Sequence, residues 1–206
     1  MKVLLLNGSP HAKGCTYTAL EEIATVLHGH GIETELLHIG APSVPGCLGC
    51  GKCKGGAPCI IDDGVNALAA RLEEFDGMVV GSPIYYAGPS GQCTAFLDRL
   101  FYSASHKLSG KPGAAIVSCR RGGASAGFDR LNKYFSICSM PIVTSQYWNQ
   151  VHGNSPEEVL QDEEGMQTMR TLAQNMAWLL KCIEAGKTAG VPLPKQEPKV
   201  RTNFIR

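Results

Sequence analysis

Five short apolar segments recur along the chain, separated by longer segments whose apolar residues follow a different period. The first, residues 2–6, is an apolar run that ends at an Asn-Gly-Ser-Pro turn, which is the pattern of a strand buried on both faces of a sheet. Residues 33–39 alternate between polar and apolar positions, as a half-buried strand does. The predicted strands are residues 2–6, 33–39, 76–81, 113–118 and 142–145.

Between these strands, apolar residues recur every three or four positions, the spacing of a helix that packs one face on a sheet. In the first such segment, Leu20, Ile23 and Leu27 share a face, and Gly31 follows as a helix stop. We expect Asp62 and Asp63 to cap the second helix rather than to bind metal. The predicted helices are residues 16–30, 65–74, 91–104, 129–139 and 156–184.

Strand and helix alternate throughout, which predicts an α/β fold with a doubly wound, five-stranded parallel sheet in a three-layer α/β/α arrangement. At 206 residues the chain is long enough for one domain with a full core. We assign residues 1–186 to this domain and the proline-containing residues 187–206 to an extended C-terminal arm. Phe204 and Ile205, at the end of the arm, are expected to dock on a neighbouring subunit.

The charge balance narrows the possible partners. The chain has 19 basic and 18 acidic residues, a formal net charge of +1 and no long basic run, so we expect no nucleic-acid partner. No apolar segment approaches the length that spans a bilayer, and we expect no membrane partner. The chain opens without a secretory segment and has nine cysteines, an odd number, which indicates reduced thiols and a cytoplasmic location.

Four of the cysteines lie in one glycine-rich loop, residues 46–60, after the second predicted strand. Cys47, Cys50 and Cys53 have CxxCxxC spacing, and Cys59 follows after five further residues. Thiolates this close in sequence suit the ligands of one small iron–sulfur cluster. Four free thiols in a structural loop remain an alternative, as does a zinc or redox-disulfide site, although structural zinc usually takes two CxxC pairs separated by a long insert.

Three further glycine-rich loops follow the first, third and fourth predicted strands, at the sheet edge where parallel sheets bind ligands. The first loop brings Ser9, His11, Cys15 and Thr16 to the start of a helix, whose free N–H groups and dipole attract an anion. It has neither Walker A nor GxGxxG spacing, so the terminal phosphate of a mononucleotide fits best. The alternative is a plain helix start capped by Cys15 or Thr16.

The loop after the third strand, residues 82–91, is rich in proline, glycine and tyrosine. Its backbone polar groups, with Tyr85 or Tyr86, suit the edge and the face of a flat heterocycle such as a flavin, and we expect the other tyrosine to pack in the core or on a subunit. After the fourth strand, Arg120, Arg121 and backbone donors suit the negative charge of a reduced flavin ring. Arg121 could equally be an ordinary surface charge.

Together these motifs resemble the NAD(P)H-dependent FMN reductase superfamily of flavodoxin-like proteins and, more narrowly, its iron–sulfur flavoproteins. The similar segments are GSPHAKGCT, SPIYYAGPSG, CxxCxxCx5C followed by IIDDG, and the late NSPEEVLQDEEGMQTM, so the resemblance covers almost the whole chain. It implies a flavodoxin-like fold, FMN bound at the three loops, and a [4Fe-4S] cluster on the cysteines of residues 46–60. It also implies homodimers or homotetramers in which the cluster of one subunit lies near the flavin of another.

The resemblance also assigns binding roles residue by residue. The FMN phosphate would be held by Ser9, His11, Cys15 and Thr16. The isoalloxazine would lie on Pro83, Ile84, Tyr85, Tyr86, Ala87 and Gly88, with Ser118, Cys119, Arg120, Arg121 and Gly123 at its other edge. The cluster ligands would be Cys47, Cys50, Cys53 and Cys59.

Three functions are compatible with these features. The first is an FMN-dependent oxidoreductase that receives single electrons from a low-potential, ferredoxin-like donor through the cluster and reduces a small acceptor at FMN. The second is an NAD(P)H-dependent FMN or quinone reductase without a cluster. The third is a non-catalytic flavin-binding redox sensor whose cysteine loop reports oxidation or metal supply.

Overall fold

The computed structural model describes residues 1–40, 43–198, 200 and 202–204. The strands are β1 (Lys2–Asn7), β2 (Glu33–His38), β3 (Gly77–Tyr85), β4 (Gly88–Pro89), β5 (Gly113–Cys119) and β6 (Gln150–His152). Five of them form a parallel sheet in the order β2-β1-β3-β5-β6, and the short β4 pairs antiparallel with β3. This is the strand order of flavodoxin-like proteins, whose ligand sites lie where the order reverses, beside β1 and β3.

Helices cover both faces of the sheet, as the alternating pattern predicts. The helices are α1 (Cys15–Gly29), α2 (Gly64–Arg71), α3 (Gly91–Ala104), α4 (Ala124–Ile137), α5 (Pro156–Gln161) and α6 (Glu163–Thr188). The core on one face is built with α2, α3 and α4, and the core on the other with α1, α5 and α6. The predicted three-layer α/β/α fold is therefore confirmed, although the short β4 raises the strand count from five to six.

Strand β1 is apolar without interruption because its two faces supply two different cores. Leu4 and Leu6 pack with α2 and α3, whereas Val3 and Leu5 pack with α1 and α6. All four side chains are fully buried, and each such burial contributes about 1.5–3 kcal/mol relative to an exposed side chain. Strand β1 is thus held in place by packing on both of its faces.

Strand β3 extends four residues beyond the predicted end at residue 81. Ser82 and Pro83 continue the parallel pairing with β5, and Ile84 and Tyr85 pair with β4 in a tight hairpin. Proline is tolerated because its missing N–H falls at the end of the parallel ladder. The predicted flat-ring platform is therefore partly strand rather than loop.

The strand predicted at residues 142–145 is wrong. In that segment only Ile142 makes an isolated bridge, to Gly113, and the next parallel strand is β6, which starts at Gln150. The Ser145 hydroxyl bonds Asn149 Oδ1 at 2.7 Å, closing a turn, and the Asn149 amide donates to the Ala115 carbonyl at 3.0 Å. These side-chain bonds outweigh the weak strand preference of the predicted segment.

The largest differences from the predicted helix limits concern two helices. Helix α4 begins at Ala124 instead of residue 129, directly after Gly123. The helix predicted at 156–184 is divided into α5 and α6 at Asp162, whose carboxylate accepts the Gly165 N–H at 2.9 Å and the His152 N–H at 2.7 Å. A side chain that caps a helix start competes with continuation of the preceding helix, which explains the division.

The C-terminal arm begins at the end of α6 and runs along the amino ends of the strands. Leu193 packs on Gly110, where an added Cβ would lie 2.8 Å from Leu193 Cδ2, and Gln196 donates to Ser139 Oγ at 2.8 Å. Phe204 is exposed, while Ile205 lies outside the described residues. Within the described part of the chain, no helix combines the length and the apolar character needed to cross a membrane.

Candidate functional site

The loop after β1 is folded around the buried side chain of Asn7. Its amide donates to the carbonyls of Ala12 at 3.2 Å and His11 at 3.4 Å, and its Oδ1 accepts the Ser9 N–H at 3.0 Å. The loop ends at Gly14, which caps α1 without a side-chain hydrogen bond, and no acidic residue occupies the first turn. The first N–H groups of α1 are therefore left for an anion.

The alternative that Cys15 or Thr16 caps the helix is not supported, because both residues are already inside α1. The Thr16 hydroxyl shares a buried 2.8 Å hydrogen bond with the Ser118 hydroxyl at the end of β5. The Cys15 thiol donates to the Gly153 carbonyl at 3.7 Å, and burial raises its pKa. These two side chains join the first loop to its neighbours.

The remaining predicted residues of the loop differ in exposure. Ser9 is buried and its hydroxyl accepts the His11 N–H at 3.1 Å, while the Ser9 carbonyl lies 2.8 Å from His38 Nε2. His11 is exposed at the mouth of the loop. Ser9 therefore supports the loop, and His11 is free to approach a bound anion.

The turn between β3 and β4 has an unusual backbone. Tyr86 and Ala87 have φ values of 49° and 60°, in the left-handed region that normally requires glycine or asparagine. Tyr85 and Tyr86 are both exposed, so neither packs in the core, and a contact of one of them with a neighbouring subunit stays a prediction. Non-glycine residues in this conformation cost about 1–3 kcal/mol each and cluster at functional sites, a signal that the sequence alone did not give.

Two glycines of the next loop allow the hairpin to lie against the start of α4. A Cβ on Gly123 would lie 2.8 Å from the Ala87 Cα, and a Cβ on Gly127 would overlap Ile84 Cδ1. Gly123 also has φ of 89°. The strained turn is thus held by backbone packing against α4.

Ser90, at the end of the hairpin, connects it to the loop after β1. Its hydroxyl donates to the Gly8 carbonyl at 2.6 Å and accepts the Cys93 N–H at 3.2 Å, capping α3. Its N–H bonds the Ser82 hydroxyl at 2.9 Å. The three loops at this sheet edge are therefore cross-linked through buried polar groups into one rigid surface.

The loop after β5 separates its predicted residues into buried and exposed groups. The Cys119 thiol is buried, lies 3.5 Å from His152 Nδ1, and has a pKa raised chiefly by burial. Arg120 and Arg121 are exposed. Only the arginine side chains and the loop backbone are thus available to a ligand, and the Cys119 side chain serves the core.

The cysteine loop connects β2 to α2. All four of its thiols are free; Cys47 and Cys50 are exposed, Cys53 is buried and Cys59 is half-buried. The pKa of Cys53 is raised first by burial and, to a smaller extent, by Cys59, Cys47 and Cys50. Among the described residues, however, no group of three or more His, Cys, Asp or Glu side chains is arranged to hold a metal ion.

The far end of this loop is fixed by α2. The Asn66 side chain accepts the Cys59 N–H and donates to the Cys59 carbonyl, both at 2.9 Å. Asp63 caps α2 by accepting the Val65 N–H at 3.0 Å, as predicted, and it also pairs with the buried Arg99. Asn66 and Arg99 carried no recognisable sequence signal, because their roles depend on contacts distant in sequence.

The relation to known proteins follows from sequence comparison. The profile of the family described as NADPH-dependent FMN reductase matches residues 1–154. An iron–sulfur flavoprotein of Methanocaldococcus jannaschii is 30% identical over 194 residues, which cover 89% of this chain and 100% of that protein. This chain belongs to the NADPH-dependent FMN reductase family, among its iron–sulfur flavoproteins. An iron–sulfur flavoprotein of Methanosarcina thermophila is 27% identical over 192 residues, which cover 91% of this chain and 99% of that protein.

The solved structures agree on the fold. A flavodoxin, WrbA-like protein from Agrobacterium tumefaciens has a TM-score of 0.62 and 16% identity, covering 88% of this chain and 98% of that one. At that identity the likeness concerns the fold alone. Family membership makes the chain a flavin-dependent oxidoreductase that uses FMN.

The residues of this flavoprotein fit both groups that its family implies. For FMN, the α1 N-terminus without a side-chain cap and the cross-linked hairpin lie at the sheet edge that binds nucleotides. For the cluster, four free thiols lie on a loop whose Gly49, Gly51, Gly55 and Gly56 all have positive φ. Each cysteine of a [4Fe-4S] cluster binds a different iron, so its ligands stand farther apart than those of a single ion.

Proposed function

We propose that this flavoprotein moves electrons from a low-potential, ferredoxin-like donor through a [4Fe-4S] cluster to FMN and on to a small acceptor. The observation that carries the proposal is the set of four free thiols within thirteen residues of one loop, attached to an FMN reductase fold. A cluster exchanges one electron and a flavin one or two, so the pair couples one-electron donors to two-electron chemistry.

In this proposal, the chain's own residues hold FMN at both ends. The free N–H groups at the start of α1 and the exposed His11 bind the phosphate, with Ser9, Cys15 and Thr16 supporting the loop from behind. The hairpin of residues 83–88 provides backbone polar groups and the exposed Tyr85 and Tyr86 for the ring.

The second edge of the ring is assigned to the loop after β5. Ser118 fixes its beginning through Thr16, and Gly123 fixes its end against the hairpin. Between them, exposed Arg120 and Arg121 supply positive charge that stabilises the reduced, anionic ring. The rigidity of the three loops keeps the ring in one orientation toward its electron donor.

The cluster is assigned to Cys47, Cys50, Cys53 and Cys59. Thiolates are the ligands that iron–sulfur clusters take, and the exposed Cys47 and Cys50 leave the site open to a donor protein. We further propose a cytoplasmic homodimer or homotetramer in which the cluster of one subunit approaches the FMN of another.

One observation favours a second candidate, an NAD(P)H-dependent FMN or quinone reductase without a cluster. The four thiols do not form a ready metal site in the described part of the chain, and the matching family is described by its NADPH dependence. In this case NAD(P)H delivers electrons to FMN directly, and Arg120 or Arg121 meets the nucleotide phosphate. The chain belongs to a family of flavin-dependent enzymes, and no feature of the described residues favours the non-catalytic redox sensor.

Absorption and chemical analysis separate the two candidates. Protein purified without oxygen should contain one FMN and about four irons and four sulfides per chain, and Cys50→Ala should lose the iron while keeping the FMN. Reduction of the flavin by reduced ferredoxin, abolished in Cys50→Ala, completes the test. A wild-type protein with FMN, no iron and rapid reduction by NADPH contradicts the cluster proposal and establishes the second candidate.

A further inference from the structure

Arg99, on α3, is the largest fully buried side chain among the described residues, with 1% of its surface exposed. A buried guanidinium is stable only when its charge is paired and its N–H groups have acceptors. None of the hydrogen bonds of its side chain reaches the three loops assigned to FMN, so flavin binding does not explain its burial. Its side-chain partners, Pro45, Ile61 and Asp63, flank the cysteine loop.

The partners of Arg99 lie on both sides of the cysteine loop. Nη1 and Nη2 donate to the Asp63 carboxylate at 2.6 Å and 2.9 Å, a two-point contact with the cap of α2. Nη2 also donates to the Ile61 carbonyl at 2.8 Å, and Nη1 to the Pro45 carbonyl at 3.4 Å. Because Pro45 precedes residue 46 and Ile61 follows residue 60, one side chain closes the neck of the loop.

The guanidinium also bonds the Ile61 carbonyl at 2.8 Å, two residues beyond the fourth cysteine, Cys59. The Cys59 backbone is meanwhile held by Asn66 at 2.9 Å. One Arg99 donor, Nε–H, is buried without a partner in the described part of the chain, which is costly unless an acceptor arrives.

We propose that Arg99 is the positioning residue of the cysteine loop: its contacts with Pro45, Ile61 and Asp63 clamp the neck of the loop, and its buried, unpartnered Nε–H would be available to a sulfur of a cluster held at Cys59. This inference rests on the proposed cluster. A cluster with four thiolate ligands is anionic, and hydrogen bonds to its sulfurs stabilise the reduced, more negative state and raise the reduction potential. Lysine lacks the planar fork that makes several of these contacts at once.

The test compares Arg99→Lys and Asp63→Asn with a matched control, Arg130→Lys. Arg130 also pairs with an aspartate, Asp98, at 3.0 Å, but this pair is half-exposed and joins α3 to α4, outside the cysteine loop. Asp63→Asn keeps the shape of the side chain but removes the charge that pairs with Arg99. It therefore tests the same clamp if Arg99→Lys folds poorly. Circular dichroism identifies the variants that remain folded.

The first readout needs no cluster. Lys52 and Lys54 are exposed in the loop, and trypsin should cut after them at least about tenfold faster in metal-free Arg99→Lys or Asp63→Asn, because a loosened neck lets the loop enter the protease. Arg130→Lys should match the wild type. Unchanged cleavage in both folded loop variants would overturn the clamp, whether or not the wild type binds iron.

The second readout is the midpoint potential of the cluster, measured by electron paramagnetic resonance during a redox titration. Arg99→Lys should have a lower potential than the wild type, or should lose iron on gel filtration, while Arg130→Lys keeps both properties. Wild-type potential and iron content in Arg99→Lys would overturn the hydrogen bond to the cluster. A wild type that never binds iron refutes the proposed cluster, and the protease result then decides the clamp alone.

Discussion

Gly122 and Gly123 are adjacent, yet the structure places different demands on them. Gly123 has φ of 89° and no room for a Cβ beside Ala87, whereas Gly122 has open space around it. Gly123→Ala should therefore push the β3–β4 hairpin away from α4. We expect a loss of about 1–3 kcal/mol in stability and at least about tenfold weaker FMN binding.

Fluorescence titration of FMN into the flavin-free protein, with urea unfolding of the same samples, measures both effects. Gly122→Ala is the control and should change neither value, because its added methyl meets nothing within 4 Å. Equal FMN affinity in the two variants would show that the hairpin position does not matter for the flavin.

At the scale of single residues, the sequence identified candidates better than it identified their roles. Ser9, Thr16 and Ser118 lie at the predicted sheet edge, but the Ser9 hydroxyl bonds within its own loop, and the Thr16 and Ser118 hydroxyls bond each other between two loops. Asn7 and Arg99 were missed, since nothing in their local sequence shows that an amide will organise a loop or that a guanidinium will be buried. Such roles depend on partners that the fold brings near from distant parts of the sequence, so local sequence patterns cannot predict these roles.

At the scale of elements, the edge strand β2 is tied to its neighbours by Glu35. Its carboxylate meets Lys2 of β1 at 2.6 Å and Arg71 of α2 at 2.8 Å. The hydrogen bonds from Arg71 and Lys2 lower its pKa from 4.5 to about 2. A carboxyl whose pKa is lower in the folded state stabilises the fold above its ordinary pKa, and this stabilisation is lost as the pH falls through 4.5 toward 2.

Glu35→Gln should therefore unfold about 2 °C below the wild type at pH 7, and the difference should shrink steadily as the pH falls from 4.5 to 2. Calorimetry at a series of pH values measures it. Glu33→Gln, an exposed position on the same strand, is the control and should show no such trend. A difference that persists at pH 2 would assign the effect to packing instead of charge.

The elements themselves were largely predictable from periodicity where a strand is long and buried. Strands β1 and β5 and helix α3 follow their apolar patterns closely. Prediction failed at β6, where three residues are enough because Asn149 anchors the segment to β5. It also failed at the hairpin, because Tyr86 and Ala87 lack the glycine or asparagine that marks such turns.

At the scale of the whole molecule, the nine cysteines give a test of the proposed cluster. In the metal-free, reduced protein, Cys47, Cys50 and Cys182 are exposed, whereas burial raises the pKa of Cys93 to about 12. A thiol reagent should thus modify three cysteines quickly, because thiolates at the surface react first. In iron-loaded protein only Cys182 should react quickly, and Cys182→Ser should abolish that phase; three fast thiols in both forms would argue against ligation.

The C-terminal arm gives a second prediction about assembly. Its first part packs on the core through Leu193 and Gln196, but Phe204 is exposed. If the end of the arm docks on a neighbouring subunit, a chain ending at Pro198 should form a smaller assembly in light scattering, while Gln196→Ala in the full-length chain should keep the original mass. An unchanged mass after truncation would refute the docking.

The arm lies along the amino ends of the strands, while the cysteine loop and the loops proposed to bind FMN follow their carboxyl ends. If these assignments hold, a protein tethered to an electrode through a tag on the arm presents the edge with its redox groups to the solution and the opposite edge to the electrode. Current would then depend on a diffusing mediator. A tether placed at Leu48, which is exposed beside Cys47 and Cys50, would reverse this orientation. Electrons could then pass directly between the electrode and the protein.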